Sequence, residues 1–186
     1  SDNTEFNQLD LLNGARSSNE IYATEDIMIS SATNNANITA TNNHLSVKMD
    51  DTIDLSVDLS VVDYDGSAGK TAEDLAKDMK NSLIGVDTAS TAYTNFIADP
   101  TAADFAALVA AVPAPPVGSL IGQINALTPS QLSEKGYTHP TKAKAQFLND
   151  VVAGQNKFDV AYDPTKKRFS IKSNYKLRMD EDLSTA

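Results

Sequence analysis

Gly66-Ser67-Ala68-Gly69-Lys70-Thr71 comes closest to recognisable chemistry in this 186-residue chain. It ends Gly-Lys-Thr, follows a run with strand periodicity and precedes one with helix periodicity. In a phosphate-binding loop, backbone N–H groups and a lysine surround phosphate oxygens at a helix N-terminus. The spacing here departs from that pattern, which requires a glycine five positions before Gly69, where this chain has Tyr64. The preceding run alternates, unlike the buried central strand of a nucleotide-binding fold. No second apolar strand ends in a magnesium-binding aspartate. The expectation is therefore an ordinary strand-to-helix turn.

Asp63-Tyr64-Asp65-Gly66 carries carboxylates spaced as at the start of a calcium loop. Such a loop needs glycine at its sixth position, and Ala68 stands there. Its twelfth residue would be Asp74, which is better used as a helix cap. A solvated acidic turn is expected, with a loose surface calcium site as the alternative. His44 and His139 are the two histidines. Neither has a nearby i+4 partner, so both are expected to be surface side chains. No Gly-x-Ser-x-Gly elbow offers a serine nucleophile, although sequence alone leaves a Ser-His-acid triad open. Asp50/Asp51 and Asp180/Glu181/Asp182 fall in turn and tail positions, where a charge run is normally solvated. Asn37-Ile38-Thr39 is a formal glycosylation sequon of a kind that arises often by chance. No catalytic, cofactor-binding or metal-ligating residue is assigned, and no cofactor is expected.

Composition narrows the function classes further. The net charge is −10, from 15 basic and 25 acidic residues, which argues against nucleic acid as a partner because phosphate binding needs a basic face. Excess negative charge suits a soluble, displayed surface. There is no cysteine, which excludes disulfides, thiolate metal sites and a cysteine nucleophile. No apolar run approaches the roughly 20 residues of a membrane-spanning helix. The chain opens on Ser1-Asp2-Asn3-Thr4-Glu5, with neither an initiator methionine nor a signal architecture, so it reads as an excised or processed segment. With 41% hydrophobic residues it can bury a real core as one domain, with or without a sizeable insertion.

The elements that would position these side chains follow from periodicity. Leu45, Val47 and Met49 alternate with Ser46 and Lys48. After Asp50-Asp51, Ile53, Leu55, Val57, Leu59 and Val61 alternate with Asp54, Ser56, Asp58 and Ser60. Period two places all five aliphatics on one face and the acids in water, the antiparallel habit of a sheet with one dry side. Thr71-Ala72-Glu73-Asp74 opens a helix with a capping-box pattern. Ala72, Leu75, Ala76, Met79 and Leu83 form its apolar stripe, and Gly85 stops it.

Residues 86–156 change in texture. An Ala-rich helix opens at Asp99-Pro100-Thr101, with Phe105, Leu108, Val109 and Val112 on one side, and ends at Pro113, Pro115 and Pro116. A second helix is expected over 119–127, then a turn through Thr128-Pro129, a short helix over 130–135, and a last one over 141–152 capped by Gly154. Phe147, Leu148, Val151 and Val152 are its apolar side. Phe158, Val160 and Tyr162 then alternate, Asp163-Pro164-Thr165-Lys166-Lys167 turns, and 168–173 returns. Tyr175, Leu177 and Met179 suggest a further strand.

The expected organisation is a linker over 1–19, an α+β domain over 20–179, and a tail over 180–186. Within the domain, 20–64 is β-rich, 71–84 a helix, 86–156 a helical insertion and 157–173 a hairpin. The fold class is α+β, a mostly antiparallel sheet packed on short helices. Leu55, Val57, Leu59, Leu75, Met79, Phe158, Val160, Phe169 and Ile171 are expected to share the core.

Asn3-Thr4-Glu5-Phe6-Asn7-Gln8-Leu9-Asp10-Leu11-Leu12-Asn13-Gly14 resembles the run that closes the N-terminal helical region of bacterial flagellins, with Gln8 where that family usually has glycine. Leu45 to Leu83, including Thr71-Ala72-Glu73-Asp74-Leu75-Ala76, resembles the hook-IN motif of flagellins and hook-associated proteins. Val160-Ala161-Tyr162-Asp163 and Arg168-Phe169-Ser170-Ile171-Lys172-Ser173 are similar to its closing hairpin. The long insertion over 86–156 departs from the family. Together these pieces cover under half the chain.

The resemblance implies an extracellular, non-enzymatic domain on the outside of a flagellar filament or hook-associated subunit, contributing to motility. Its partners would be other copies of the full-length subunit or other axial proteins, without nucleic acid or membrane insertion. The segment alone is expected to be monomeric or weakly associated. Three other readings stand beside this one: a virion component such as a tail, fibre or capsid protein, a surface adhesion module, and, with least support, a hydrolase.

Overall fold

The computed structural model describes residues 20–22, 38, 40, 43–49, 52–62, 64, 66, 69–153, 158–166, 168–173 and 175–179. The expected linker over 1–19, the tail over 180–186, the acids at 63 and 65, and the Gly154 cap lie outside them.

The fold is α+β, with all strand pairs antiparallel. One three-stranded sheet holds β1 (Glu20–Tyr22), β5 (Arg168–Lys172) and β4 (Asp159–Asp163), in that spatial order. The other runs β3 (Ile53–Asp58), β2 (His44–Met49), β6 (Leu177–Met179). The expected late strand thus exists, but it pairs with β2, matching Val47 to Met179 and Met49 to Leu177, rather than extending the nearby hairpin. The sheets abut where β1 meets β6.

Pairing of β2 with β3 sets Leu45 opposite Val57, Val47 opposite Leu55 and Met49 opposite Ile53. All six side chains are buried. Each such burial is worth about 1.5–3 kcal/mol, and a slip of one residue would turn the whole set to solvent, so the apolar face locks the register. The alternation fails at its end. Val61 is 58% exposed. The ladder stops at Asp58, the Leu59 amide donates to Asn43 O at 2.7 Å, and the chain then leaves the sheet.

Among the described residues there are six helices. α1 (Ala72–Ile84) starts at Thr71, where the Asp74 carboxylate accepts from the Thr71 amide at 2.9 Å and from its hydroxyl at 3.1 Å. Ala72, Leu75, Ala76, Met79 and Leu83 are buried, as the stripe predicts. The chain turns away at Gly85, whose φ of 104° is left-handed and closed to most side chains. α1 packs on both β3 and β4, so one helix braces the two sheets.

The periodicity did not anticipate α2 (Thr91–Ala98), which places Tyr93 and Phe96 inward behind a Ser90 cap. α3 (Ala102–Val109) is capped by Thr101 and buries Phe105 and Leu108. Val112 is 97% exposed, contrary to its expected place on that apolar side, because the helix has already ended at Ala110. α4 (Leu120–Ala126) follows Ser119. The expected turn at Thr128-Pro129 is instead the cap and first residue of α5 (Pro129–Glu134), where proline's fixed φ and missing N–H are harmless. α6 (Ala143–Val152) buries Phe147, Leu148, Val151 and Val152.

The helical block does not stand apart from the sheets. α4 packs against β3 and α1, while α3 and α6 pack on α4. Phe96, Leu108, Leu120, Ile121, Ile124, Phe147, Leu148 and Val151 join the sheet residues in one buried cluster. All nine expected core residues lie in that cluster.

Candidate functional site

The polar face of the β2–β3 hairpin carries three directly opposed pairs, exposed in part at its two ends and with Ser46 buried at its middle: His44 with Asp58, Ser46 with Ser56, and Lys48 with Asp54. His44 Nδ1 lies 2.7 Å from Asp58 Oδ1, and Ser56 Oγ lies 3.2 Å from His44 Nε2. An ionised carboxylate only accepts, so the imidazole donates from Nδ1 and, when neutral, accepts the Ser56 hydroxyl proton at Nε2. This is the connectivity of a nucleophile, its base and the group that orients the base.

The register holds these groups together. Asn43 Nδ2 donates to Leu59 O at 3.2 Å and Asn43 O accepts the Leu59 amide, clamping the strands just beyond the His44–Asp58 pair. At the other end Lys48 Nζ is 3.8 Å from Asp54 Oδ1. The hydrogen-bonded His44–Asp58 pair at one end and the opposite charges of Lys48 and Asp54 at the other favour this register over a slipped one. The side chains of His44 and Asp58 are 39% and 71% exposed, so the site is a surface one rather than a deep cleft.

Gly118 flanks Ser56. Its carbonyl accepts the Ser56 amide at 2.9 Å, so the loop before α4 covers the outer edge of β3. A Cβ at Gly118 would lie 1.9 Å from the Ser56 carbonyl oxygen, and only glycine permits the approach. With the Ser56 N–H committed to Gly118, that amide is not available to stabilise an oxyanion at Ser56.

The described residues of the loop with phosphate-binding resemblance bond one another and α1. Lys70 Nζ donates to Asp78 Oδ2 at 2.6 Å and sits 5.3 Å from the centroid of the Tyr64 ring. The buried Tyr64 hydroxyl donates to the same oxygen at 2.7 Å. The Gly66 amide bonds Lys70 O and the Gly69 amide bonds Gly66 O. The lysine is thus tied to α1, and two of the amides that would meet a phosphate are spent on closing the loop on itself. Burial, then the bond to Asp78 and that carboxylate's charge, push the Tyr64 hydroxyl well above the usual phenol range.

His139 closes the turn ahead of α6. Its Nδ1 accepts from the amides of Thr141 at 3.2 Å and Lys142 at 3.1 Å, serving orphan donors ahead of α6. It also borders a shallow cleft of about 260 Å³ with Leu132, Tyr137 and Lys144. The Lys144 ammonium is held by the Asn125 carbonyl. Beside this, the Tyr137 hydroxyl bonds Asp150 Oδ2 at 2.8 Å and meets the Tyr175 hydroxyl at 3.1 Å, with Phe147 stacked on Tyr137. Burial first, then these bonds, drive the Tyr137 hydroxyl upward.

The two histidines are surface side chains, as expected. Both are exposed in part, but each is built into a hydrogen-bond network. Sequence reading missed the His44–Asp58–Ser56 set because it sought partners by spacing along the chain. The turn held the missing signal. In a hairpin centred on position 51, residues equally far from the centre pair, which brings 44 to 58 and sets 56 diagonally across. No group of three or more His, Cys, Asp or Glu side chains able to hold a metal occurs among the described residues. Among them, too, no helix is long and apolar enough to cross a membrane. No protein-family model, no curated protein and no solved structure matches the chain.

Proposed function

We propose that this is a structural domain displayed on the outside of an extracellular filament subunit of the flagellar or hook-associated kind. The observation that carries the reading is the use of its ionic groups as internal braces. Lys70 ties the β3–α1 junction to Asp78, and Lys80 ties α1 to Asp159 on β4. His139 closes the turn ahead of α6. Groups that would otherwise serve a small-molecule ligand instead stiffen one continuous core.

The resemblance of the strand–strand–helix–hairpin order to the hook-IN motif supports the same reading. So does the contact of α1 with both β3 and β4, which makes those pieces one packed unit. A net charge of −10 keeps such a surface hydrated and discourages casual association. Its partners are other copies of the full-length subunit or other axial proteins.

Sedimentation of the isolated 186-residue segment tests the placement outside the polymerising region. A monomer at micromolar concentration is expected. Filaments formed by the segment alone would overturn it.

A further inference from the structure

We propose that Ser56 is a base-activated acylation site, which takes an acyl group from esters whose leaving group departs as a stabilised anion. The inference rests on the order of the two hydrogen bonds, Ser56 Oγ to His44 Nε2 at 3.2 Å and His44 Nδ1 to Asp58 Oδ1 at 2.7 Å. It does not depend on the display role.

Asp58 fixes the imidazole so that Nε2 faces the hydroxyl as an acceptor. In the reaction Ser56 Oγ attacks the acyl carbon and its proton passes to His44 Nε2. A bond forms between Oγ and that carbon, the bond from the carbon to the leaving oxygen breaks, and the leaving group carries the electron pair away as an aryl oxide. His44 then releases the proton to solvent. The product is an ester of Ser56.

The same geometry sets the limit of the chemistry. The Ser56 amide is bonded to Gly118 O, so the strand N–H at the nucleophile cannot hold the tetrahedral oxyanion. The loss of one such donor typically slows acyl transfer by about 10²–10³. What remains is general-base assistance, worth about 10²–10⁴. That suffices for an aryl ester, whose leaving group needs no proton. It does not suffice for rapid hydrolysis of the resulting seryl ester, which has an alkoxide leaving group. The acyl group therefore accumulates on Ser56 instead of turning over. Ser56 is half-buried and is approached from the side of His44, whose side chain is 39% exposed, so only a small acyl donor reaches it.

The test uses the intact chain with p-nitrophenyl acetate, acid quenching and peptide mass spectrometry, with exposed Ser60 and Ser133 as internal references. Acetylation of Ser56 about 10²-fold faster than at either reference is expected. His44→Gln should bring Ser56 down to the reference rate, and Asp58→Asn should lower it by a smaller factor. Labelling of Ser56 no faster than Ser60 in the unaltered chain would overturn the proposal. So would an unchanged Ser56 rate in a folded His44→Gln variant.

Discussion

Lys80 Nζ on α1 donates to Asp159 Oδ1 on β4 at 2.8 Å, across 79 residues of sequence. The bond fastens the closing hairpin to the helix that follows the opening one. The two side chains are 23% and 38% exposed, so the pair is partly screened. Its worth is about 0.2–1 kcal/mol, and positioning matters more than strength. The negative charge of Asp159 also bears on Tyr93, buried on α2.

That charge gives a pH prediction. Burial first, and Asp159 second, push Tyr93 up to about 12. Tyr64 and Tyr137 are raised in the same direction by burial and their bonds to carboxylates and to Tyr175. An unfolded tyrosine titrates near about 10. The folded values are higher, so this stability is complete below the unfolded value. It is lost as pH climbs from about 10 through about 12, the folded value of Tyr93. Absorbance titration at alkaline pH should show these three tyrosines ionising late and together with unfolding. Asp159→Asn should move the Tyr93 step downward while leaving most of its displacement, because burial is the larger cause.

Leu75 is fully buried on α1, the helix that packs on both sheets. Leu75→Ala should lower the unfolding free energy by about 2–4 kcal/mol. The exposed Val112→Ala should change it by less than about 0.5 kcal/mol. Chemical denaturation of the two variants measures both.

Gly118→Ala should separate the loop from the edge of β3, because backbone lies on both sides of the contact and neither side can swing away. A loss of about 1–3 kcal/mol is expected, as for other overpacked sites. Hydrogen exchange at the Ser56 amide should accelerate in the variant, and its protection should survive in Val117→Ala, whose side chain is 79% exposed.

Asp78→Ala should cost more than Tyr64→Phe. The first leaves a buried hydroxyl without its acceptor, at about 1–3 kcal/mol, and the second removes one bond worth about 1 kcal/mol. Lys70→Ala should alter stability slightly and nucleotide binding not at all. Titration calorimetry with ATP should give no saturable isotherm for either the unaltered chain or the variant.

The fold was legible where a local rule governed it. Alternation placed Leu45, Val47, Leu55 and Val57 on the dry face. Thr71 and Gly85 bounded α1 within a residue. The same rules misplaced Val61 and Val112, since periodicity does not show where an element stops. α2 went unread because its inward residues, Tyr93 and Phe96, are too few to form a stripe. The chemistry was less legible. The spacing around Lys70 argues for an ordinary turn, but its partner Asp78, nearly two turns into α1, is visible only in the fold. His44 looked solitary because Ser56 and Asp58 meet it through register, which depends on the turn and on the buried face together.

Display on an extracellular filament is tested most directly by immunogold electron microscopy. Antibodies against the folded segment would be applied to intact cells making the full-length chain. Gold particles spaced along filaments that project from the cell surface are expected. Label found only inside permeabilised cells, with surface filaments bare, would contradict a displayed structural domain.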